Sequence, residues 1–333
     1  MNKLDFTQVI PRIRVLETRL LDKTKIDRMI DSTNAEEALK ILSETEYASY
    51  MTNVKRANDY EVILSDELQR VYKMLYSIIP SKDLVDVMAL KYDYHNIKVL
   101  LKAKLLGKDF STMLIPIGML DLEKLKQAIA SEDYRDLTVS MRKAIEIALS
   151  DFQNTNDPQR IDIIIDGFMF EEMKSLDKKI KDKSLEKYIK NTIDLTNLKS
   201  LFRIKRQNKS KEFLSSVIIS GGNLDKDRVT SLFADTVENI VSKLAYTDYG
   251  GVLKAALENH GKDGSLNSLE KFSDNFIMNF MKDAKFISFG IEPIIAYIYA
   301  KENEIKIIRI IMVGKLNNIA GEVIKERLRE NYV

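Results

Sequence analysis

The sequence predicts an all-α protein, on three observations. Apolar residues recur at helical steps of three and four along most of the chain. Gly and Pro number only 12 and 5 among 333 residues, while 31% of the residues are charged, a balance typical of long solvated helices. No segment shows convincing strand alternation, although the β-branched run Ile161–Asp166 is compatible with a short strand between helical patterns.

Apolar stripes predict the individual helices in order along the chain. The clearest stripe places seven apolar residues between Tyr60 and Leu75 on one helical face. The polar triplet that begins at Ser32 precedes Ala and two glutamates, which is typical of a capped helix start. Further stripes of the same kind occupy Ile26–Leu42, Leu120–Ala130, Met141–Phe152, Val229–Leu244 and Phe272–Met281.

Composition excludes several classes of function. The chain has 52 basic and 50 acidic side chains, so its net charge of +2 gives no global attraction to nucleic acid. It has no Cys, which excludes disulfides, thiol chemistry and Cys-ligated zinc, and its two histidines are too few for a multi-histidine metal site. The longest uncharged stretch, Phe213–Leu224, has 12 residues, whereas a spanning helix needs about 20. We therefore expect a soluble chain that needs no cofactor or metal.

An internal repeat organises the chain. One marker places Leu-Asp four residues before an apolar residue, in RLLDKTKIDRMI, GMLDLEKLKQAI and GNLDKDRVTSLF; its aspartates, Asp22, Asp121 and Asp225, are spaced by 99 and 104 residues. A second marker, in YHNIKVLLKAK, LTNLKSLFRIK and ENEIKIIRIIM, has central lysines spaced by 101 and 107 residues. Leu- and Lys-rich helices also match one another by chance, but two markers with one period argue against coincidence. The period predicts three similar helical domains, at residues 1–112, 113–217 and 218–333.

Signatures of catalysis are missing from the sequence. It contains no phosphate-binding glycine loop, dinucleotide motif, zinc-protease helix or nucleophile elbow. The two Gly-Gly pairs are interpreted as helix ends, and no carboxylate pair is singled out as an acid/base dyad. His95 would need an orienting partner and a substrate pocket to act as a general base, and the sequence shows neither. An enzyme that binds an anion through His95 and Lys98 is therefore disfavoured, because the lysine recurs in every copy and the histidine does not.

A basic stripe runs along the helix that contains His95. Lys91, His95, Lys98 and Lys102 follow at steps of four, three and four, beside an apolar line. The other two copies carry comparable cations at Lys199 and Arg203, and at Lys306 and Arg309, the third within a more apolar helix that is expected to be buried on several sides. Two interpretations remain open. The cations are either solvated or paired with carboxylates of the same chain, or they surround a common axis and bind an acidic partner.

These features resemble a known family. The segments YDYHNIKVLLKAKL and EIKIIRIIMVGKLNNI and the threefold period are similar to the C subunit of the prokaryotic A/V-type rotary ATPases, the relative of the d subunit of the vacuolar ATPase. The resemblance spans essentially the whole chain. Asp194, Asn197 and Lys199 match Asp93, Asn96 and Lys98, but the third copy has Lys301, Glu304 and Lys306, so the acidic and Asn positions do not carry over to it.

The resemblance implies a funnel of three domains around a pseudo-threefold axis and a role without catalysis. Its mouth would hold the central rotor shaft, made of D- and F-type subunits, and its other face would sit on the membrane rotor ring of c/K-type proteolipid, on the cytoplasmic side of the membrane. One copy per complex and a monomer in isolation are implied. The ion, proton or sodium, is not. The expected shaft-binding residues are Lys98, Lys102, Lys199, Arg203, Lys306 and Arg309.

The ring-facing surface is harder to locate from sequence. Apolar segments broken by turns are candidates, with Met113, Leu114, Ile115, Phe286 and Phe289 as their residues. The competing interpretation, which the sequence favours, is packing between helices. A generic helical scaffold for another cytosolic protein is the alternative function, because it predicts the same fold.

Overall fold

The computed structural model describes residues 3–263 and 267–333, and it confirms the all-α prediction. Within those ranges there are α-helices and short 3-10 segments but no strand, and Ile161–Asp166 lies inside a helix, so the strand alternative is wrong. The α-helices are α1 Ile10–Glu17, α2 Lys23–Asp31, α3 Ala35–Ile41, α4 Tyr60–Ile78, α5 Lys82–Leu106, α6 Leu122–Ser131, α7 Val139–Thr155, α8 Pro158–Ile180, α9 Lys183–Arg206, α10 Lys211–Val217, α11 Lys226–Ser231, α12 Val237–Leu244, α13 Gly250–Asp263, α14 Asn267–Lys282, α15 Glu292–Leu316 and α16 Gly321–Arg327.

The helices group into two compact units. One unit contains residues 81–200 and 208–230, and the other contains residues up to 80, residues 201–207 and residues from 231 onward. The division into three domains at residues 112 and 217 stays a prediction. Among the described helices, none combines the length and the apolar character that crossing a bilayer requires.

The first unit is organised around α8, which packs along α5 and α7. Its helix starts are encoded locally: the carboxylate of Asp121 accepts from the Lys124 N–H at the start of α6, and Asp157 caps α8 ahead of Pro158. Helix α5 ends at Gly107, whose φ of 62° is left-handed. The Asp of the first repeat marker is therefore a helix cap in this copy.

The second unit is organised around α15, which packs against α14, α1 and α3. Ile305, Ile307, Ile308 and Ile311 of α15 are all buried, which confirms that the third copy of the basic helix is enclosed on several sides. Asp22 caps α2 by accepting from the Lys25 N–H, as Asp121 does at the start of α6. The same sequence marker thus starts a helix in both units.

Candidate functional site

The basic stripe of α5 is paired with α8 inside the first unit. Lys98 Nζ lies 2.6 Å from Asp166 Oδ1, and Lys102 Nζ lies 2.6 Å from Asp162 Oδ2. From the first pair to the second, the lysine moves four residues forward along α5 and the aspartate moves four residues back along α8. The two pairs therefore join facing sides of two antiparallel helices. Carboxylates of α8 therefore neutralise two of the cations in the basic stripe.

The cations of the other two copies are also paired, inside the second unit. Arg203 lies 3.3 Å from Glu270, Lys306 Nζ lies 2.9 Å from Asp274, and Arg309 Nε lies 2.6 Å from Glu61. Lys199, the remaining predicted shaft-binding residue, is half-buried. Because these pairs are partly exposed, each contributes only about 0–1 kcal/mol to stability.

The pairs recur as regularly as the cations do. In each copy a cation of the second marker helix joins a carboxylate of another predicted domain: α5 to α8, α9 to α14, and α15 to α4. The recurrence of the cations in all three copies is therefore explained by the ion pairs that each copy forms within the chain. The surface carries alternating charge, and its contact with a shaft stays a prediction.

His95 makes a local backbone contact. Its Nε2 lies 2.8 Å from the carbonyl oxygen of Met113, so that nitrogen carries the proton and donates. Nε2 is therefore committed as a donor, which leaves Nδ1 as the accepting nitrogen of the neutral ring. Within the described residues, no group of three or more His, Asp or Glu side chains is arranged to hold a metal ion.

Three of the five ring-facing candidates are exposed. Phe286, in the turn between α14 and α15, is 90% exposed, and Phe289 of the same turn is 50% exposed, as is Met113 at 53%. The Arg14 guanidinium holds this turn by donating to the carbonyl oxygens of Ala284 and Ile287 at 2.7 and 2.6 Å. Leu114 and Ile115 are half-buried. The turn thus exposes two aromatic side chains on a backbone that Arg14 anchors. These two side chains are not packed between helices.

A buried clamp joins the first copy of the second marker, in α5, to the next copy of the first marker, at Asp121. The Asp93 carboxylate accepts from the backbone N–H of Met119 at 2.7 Å and from that of Leu120 at 3.2 Å, directly before the helix cap Asp121. Asn96, one turn further along α5, accepts from the Ile115 N–H and donates to the Ile115 carbonyl. Both side chains are almost fully buried, so these bonds satisfy loop backbone that water does not reach.

The second copy repeats the clamp atom for atom. Asp194 accepts from the N–H of Asn223 at 2.7 Å and from that of Leu224 at 3.1 Å, directly before the marker residue Asp225. Asn197 brackets Ile219 through the same N–H and carbonyl pair. The two repeat markers, which are separate in the sequence, are thus partners in space.

The third copy reaches the same backbone with a different residue. Glu304 Oε2 accepts from the Leu21 N–H at 2.5 Å, directly before the helix cap Asp22, and its other oxygen accepts from Tyr47. The acidic position of the other copies is Lys301 here, and Lys301 Nζ pairs with Glu304 at 2.8 Å and Glu67 at 3.2 Å. The acidic position is absent, as the sequence indicates, but its role has moved one helical turn to Glu304.

A glycine in the loop that faces the aspartate leaves room for its carboxylate in the first two copies. A Cβ added at Gly118 would lie 2.1 Å from Asp93 Oδ1, and one added at Gly222 would lie 2.0 Å from Asp194 Oδ1. At the marker held by the third copy, the residue aligned with Gly118 and Gly222 is Arg19, and the residue of α15 aligned with the aspartates is Lys301. Gly and Asp thus occur together in two copies and are both absent from the third. This correlation is a sequence signal that could have revealed the clamp.

The clamp in the first copy makes stability depend on pH. Burial raises the pKa of Asp93 to about 7, against the hydrogen bonds from Met119 and Leu120, which lower it. Because the folded pKa exceeds the unfolded value near 4, this group stabilises the fold most below about pH 4 and its contribution is lost as pH rises through 7. We expect Asp93→Asn to flatten the decline in unfolding free energy between pH 5 and 8, by up to about 1.4 kcal/mol per pH unit. Urea unfolding of both proteins across that range measures it, and parallel pH profiles would contradict it.

Comparison with known proteins identifies relatives over almost the full length. The model of the ATP synthase (C/AC39) subunit family matches residues 9–327. The C subunit of the V-type sodium ATPase of Enterococcus hirae is 30% identical over 329 residues, covering 99% of each chain. The C subunit of the A-type ATP synthase of Methanocaldococcus jannaschii is 30% identical over 344 residues, covering 97% of this chain and 86% of the relative. Its counterpart in Thermococcus kodakarensis is 25% identical over 329 residues, covering 96% and 89%.

Proposed function

The chain belongs to the ATP synthase (C/AC39) subunit family, and on that premise we propose that it is the non-catalytic socket of a V/A-type rotary ATPase. The family match confirms the resemblance found in the sequence. In the proposal, the chain couples the central rotor shaft, built from D- and F-type subunits, to the c/K-type proteolipid ring on the cytoplasmic face of the membrane. Nucleotide chemistry takes place in other subunits, and this chain needs no cofactor. The match over residues 9–327 carries the proposal.

Buried clamps support a role in transmitting torque. An adaptor between a rotating shaft and a ring must resist deformation, and packed helices with hydrogen-bonded loops deform little. Asp93, Asp194 and Glu304 each lock a long helix to the backbone of the next repeat marker. The same arrangement in all three copies distributes that stiffness over the chain.

The shaft-binding surface in this proposal is the set of three paired cation helices. Lys98, Lys102, Lys199, Arg203, Lys306 and Arg309 would meet the shaft with their carboxylate partners beside them. Alternating charges suit a seat that is specific without a large exposed apolar patch.

A charge swap separates shaft binding from internal pairing. Exchanging both pairs, Lys98→Glu with Asp166→Lys and Lys102→Glu with Asp162→Lys, keeps the ion pairs but inverts their direction. We expect unfolding free energy to change by less than about 1 kcal/mol, while capture of the shaft subunits falls several-fold. Exchanging the exposed pair Glu123 and Lys126 is the matched control. Undiminished capture would leave these cations with a structural role only.

Affinity isolation tests the function as a whole. A tagged chain isolated from detergent-extracted membranes should bring down the shaft and ring subunits in fixed stoichiometry, and cells that lack it should hydrolyse ATP without coupled ion transport. A generic helical scaffold predicts neither result. Replacing both Phe286 and Phe289 with Ser tests the ring surface, since it should release ring subunits while shaft subunits stay bound.

A further inference from the structure

We propose that the turn between α8 and α9 binds anionic phospholipid headgroups at a membrane surface. Residues 174–190 contain seven lysines and three acidic residues, a net charge of 7 − 3 = +4. The whole chain carries +2, so the remainder carries 2 − 4 = −2. Residues 199–211 form a second basic segment, with six cations and no acidic residue, so the net charge of the remainder is unevenly distributed. The turn at residues 174–190 is thus a local positive patch, which a negative surface attracts.

The lysines at the tip of this turn are not engaged by carboxylates. Lys178 and Lys179 occupy the last turn of α8, and Lys181 follows as its left-handed cap with φ of 57°. All three are exposed, and within the described residues none of them forms an ion pair. They differ in this from Lys98 and Lys102, whose charges are compensated on α8.

Of the three acidic neighbours of the tip, Asp182 and Glu186 are already occupied, whereas Asp177 has a buried Oδ1 without a hydrogen-bond partner among the described residues. Lys178 and Lys181 line an open cleft together with Asp182 and Glu186. Asp182 accepts from the N–H groups of Ser184 and Leu185 at the start of α9, and Glu186 pairs with Lys190 at 2.7 Å. Their negative charge serves the helix start and a local pair, so the lysines of the tip remain available for an external anion.

The composition of the turn favours headgroups over a protein partner. Its large apolar residues, Leu176, Ile180 and Leu185, are buried, and no exposed large apolar residue of the described chain lies between residues 174 and 190. Protein interfaces are usually anchored by aromatic or aliphatic residues, which this tip does not offer. Flexible lysines near an anionic membrane gain about 1 kcal/mol each without such an anchor. The proposal rests on the proposed function in placing the complex at a membrane, and it adds a direct lipid contact.

Vesicle flotation with the isolated full chain tests this contact. We expect wild-type protein to float with phosphatidylcholine vesicles that contain about one-third phosphatidylglycerol, not with pure phosphatidylcholine, and to be released by high salt. The triple variant Lys178→Glu, Lys179→Glu, Lys181→Glu should bind at least about tenfold more weakly, because three attractive charges become repulsive. The control reverses Lys108, Lys124 and Lys143, exposed lysines of the same unit, and should bind like the wild type. Circular dichroism verifies that every variant is folded.

Each other outcome overturns the proposal. Wild-type protein that ignores anionic vesicles, or equal losses in both triple variants, would mean that this turn has no specific lipid contact. Displacement from vesicles by excess inorganic phosphate at constant ionic strength would mean a site for free phosphate instead. Intact vesicle binding with loss of a protein subunit from the isolated complex would mean a protein partner. None of these results bears on shaft or ring capture, which the affinity isolation measures separately.

Discussion

Lys301→Met should destabilise the chain by about 3–5 kcal/mol, the range for removing one partner of a buried charge network. Lys301 is only 2% exposed, and it bridges Glu67 and Glu304, which are equally buried. Burial on its own lowers the pKa of the Lys301 ammonium, but Glu304, Tyr297 and Glu67 outweigh it and raise that pKa, so the lysine stays charged. Met keeps the length and apolar stem of the side chain and removes only the charge that separates two carboxylates.

Lys306→Met is the matched control, because it removes a cation from the same helix at a site that is 46% exposed. Its expected cost is below about 1 kcal/mol. Chemical denaturation of both variants at neutral pH measures the difference. Equal costs at Lys301 and Lys306 would show that the buried network contributes no more than a surface pair.

Local patterns made the fold class predictable. Helical periodicity, capping residues and scarce Gly and Pro act within a few residues of one another, so the stripe from Tyr60 to Leu75 is assigned to a helix by its periodicity alone. The β-branched run at Ile161–Asp166 shows the limit of this reasoning. A short apolar segment has the same composition in either state, and the contacts of its helix with α5 and α7 across the chain decide for helix.

The candidate site needed information that periodicity does not contain. The recurrence of Lys98, Lys199 and Lys306 was visible, but the carboxylates that pair with these helices lie far along the chain, 248 residues away for Arg309 and Glu61. The third copy was misleading because a residue-by-residue comparison finds Lys301 where Asp is expected. Only tertiary packing shows that Glu304 supplies the missing carboxylate one turn later. Arg19, in place of Gly at the facing marker, was the one trace of that change in the sequence.

Gly222→Ala tests this coupling and should cost about 2–4 kcal/mol, the range for leaving buried backbone donors unpaired in a crowded site. The new Cβ would lie 2.0 Å from Asp194 Oδ1, so the carboxylate must leave the N–H groups of Asn223 and Leu224. Gly167→Ala is the control within the same unit, because a Cβ there meets no atom within 4 Å inside α8. That change should stabilise the helix by about 0.5–1 kcal/mol.

A double-mutant cycle identifies the partner. Once Asp194→Ala has removed the carboxylate, Gly222→Ala has nothing to displace and should cost less than about 1 kcal/mol, which leaves a coupling energy of about 1–3 kcal/mol. Unfolding by denaturant of the four proteins in the cycle measures it. Additive costs would mean that the cost of a Cβ at Gly222 does not arise from displacement of the Asp194 carboxylate. Strong coupling would agree with the third copy, where neither the aspartate nor the glycine is present and the aligned residues are Lys301 and Arg19.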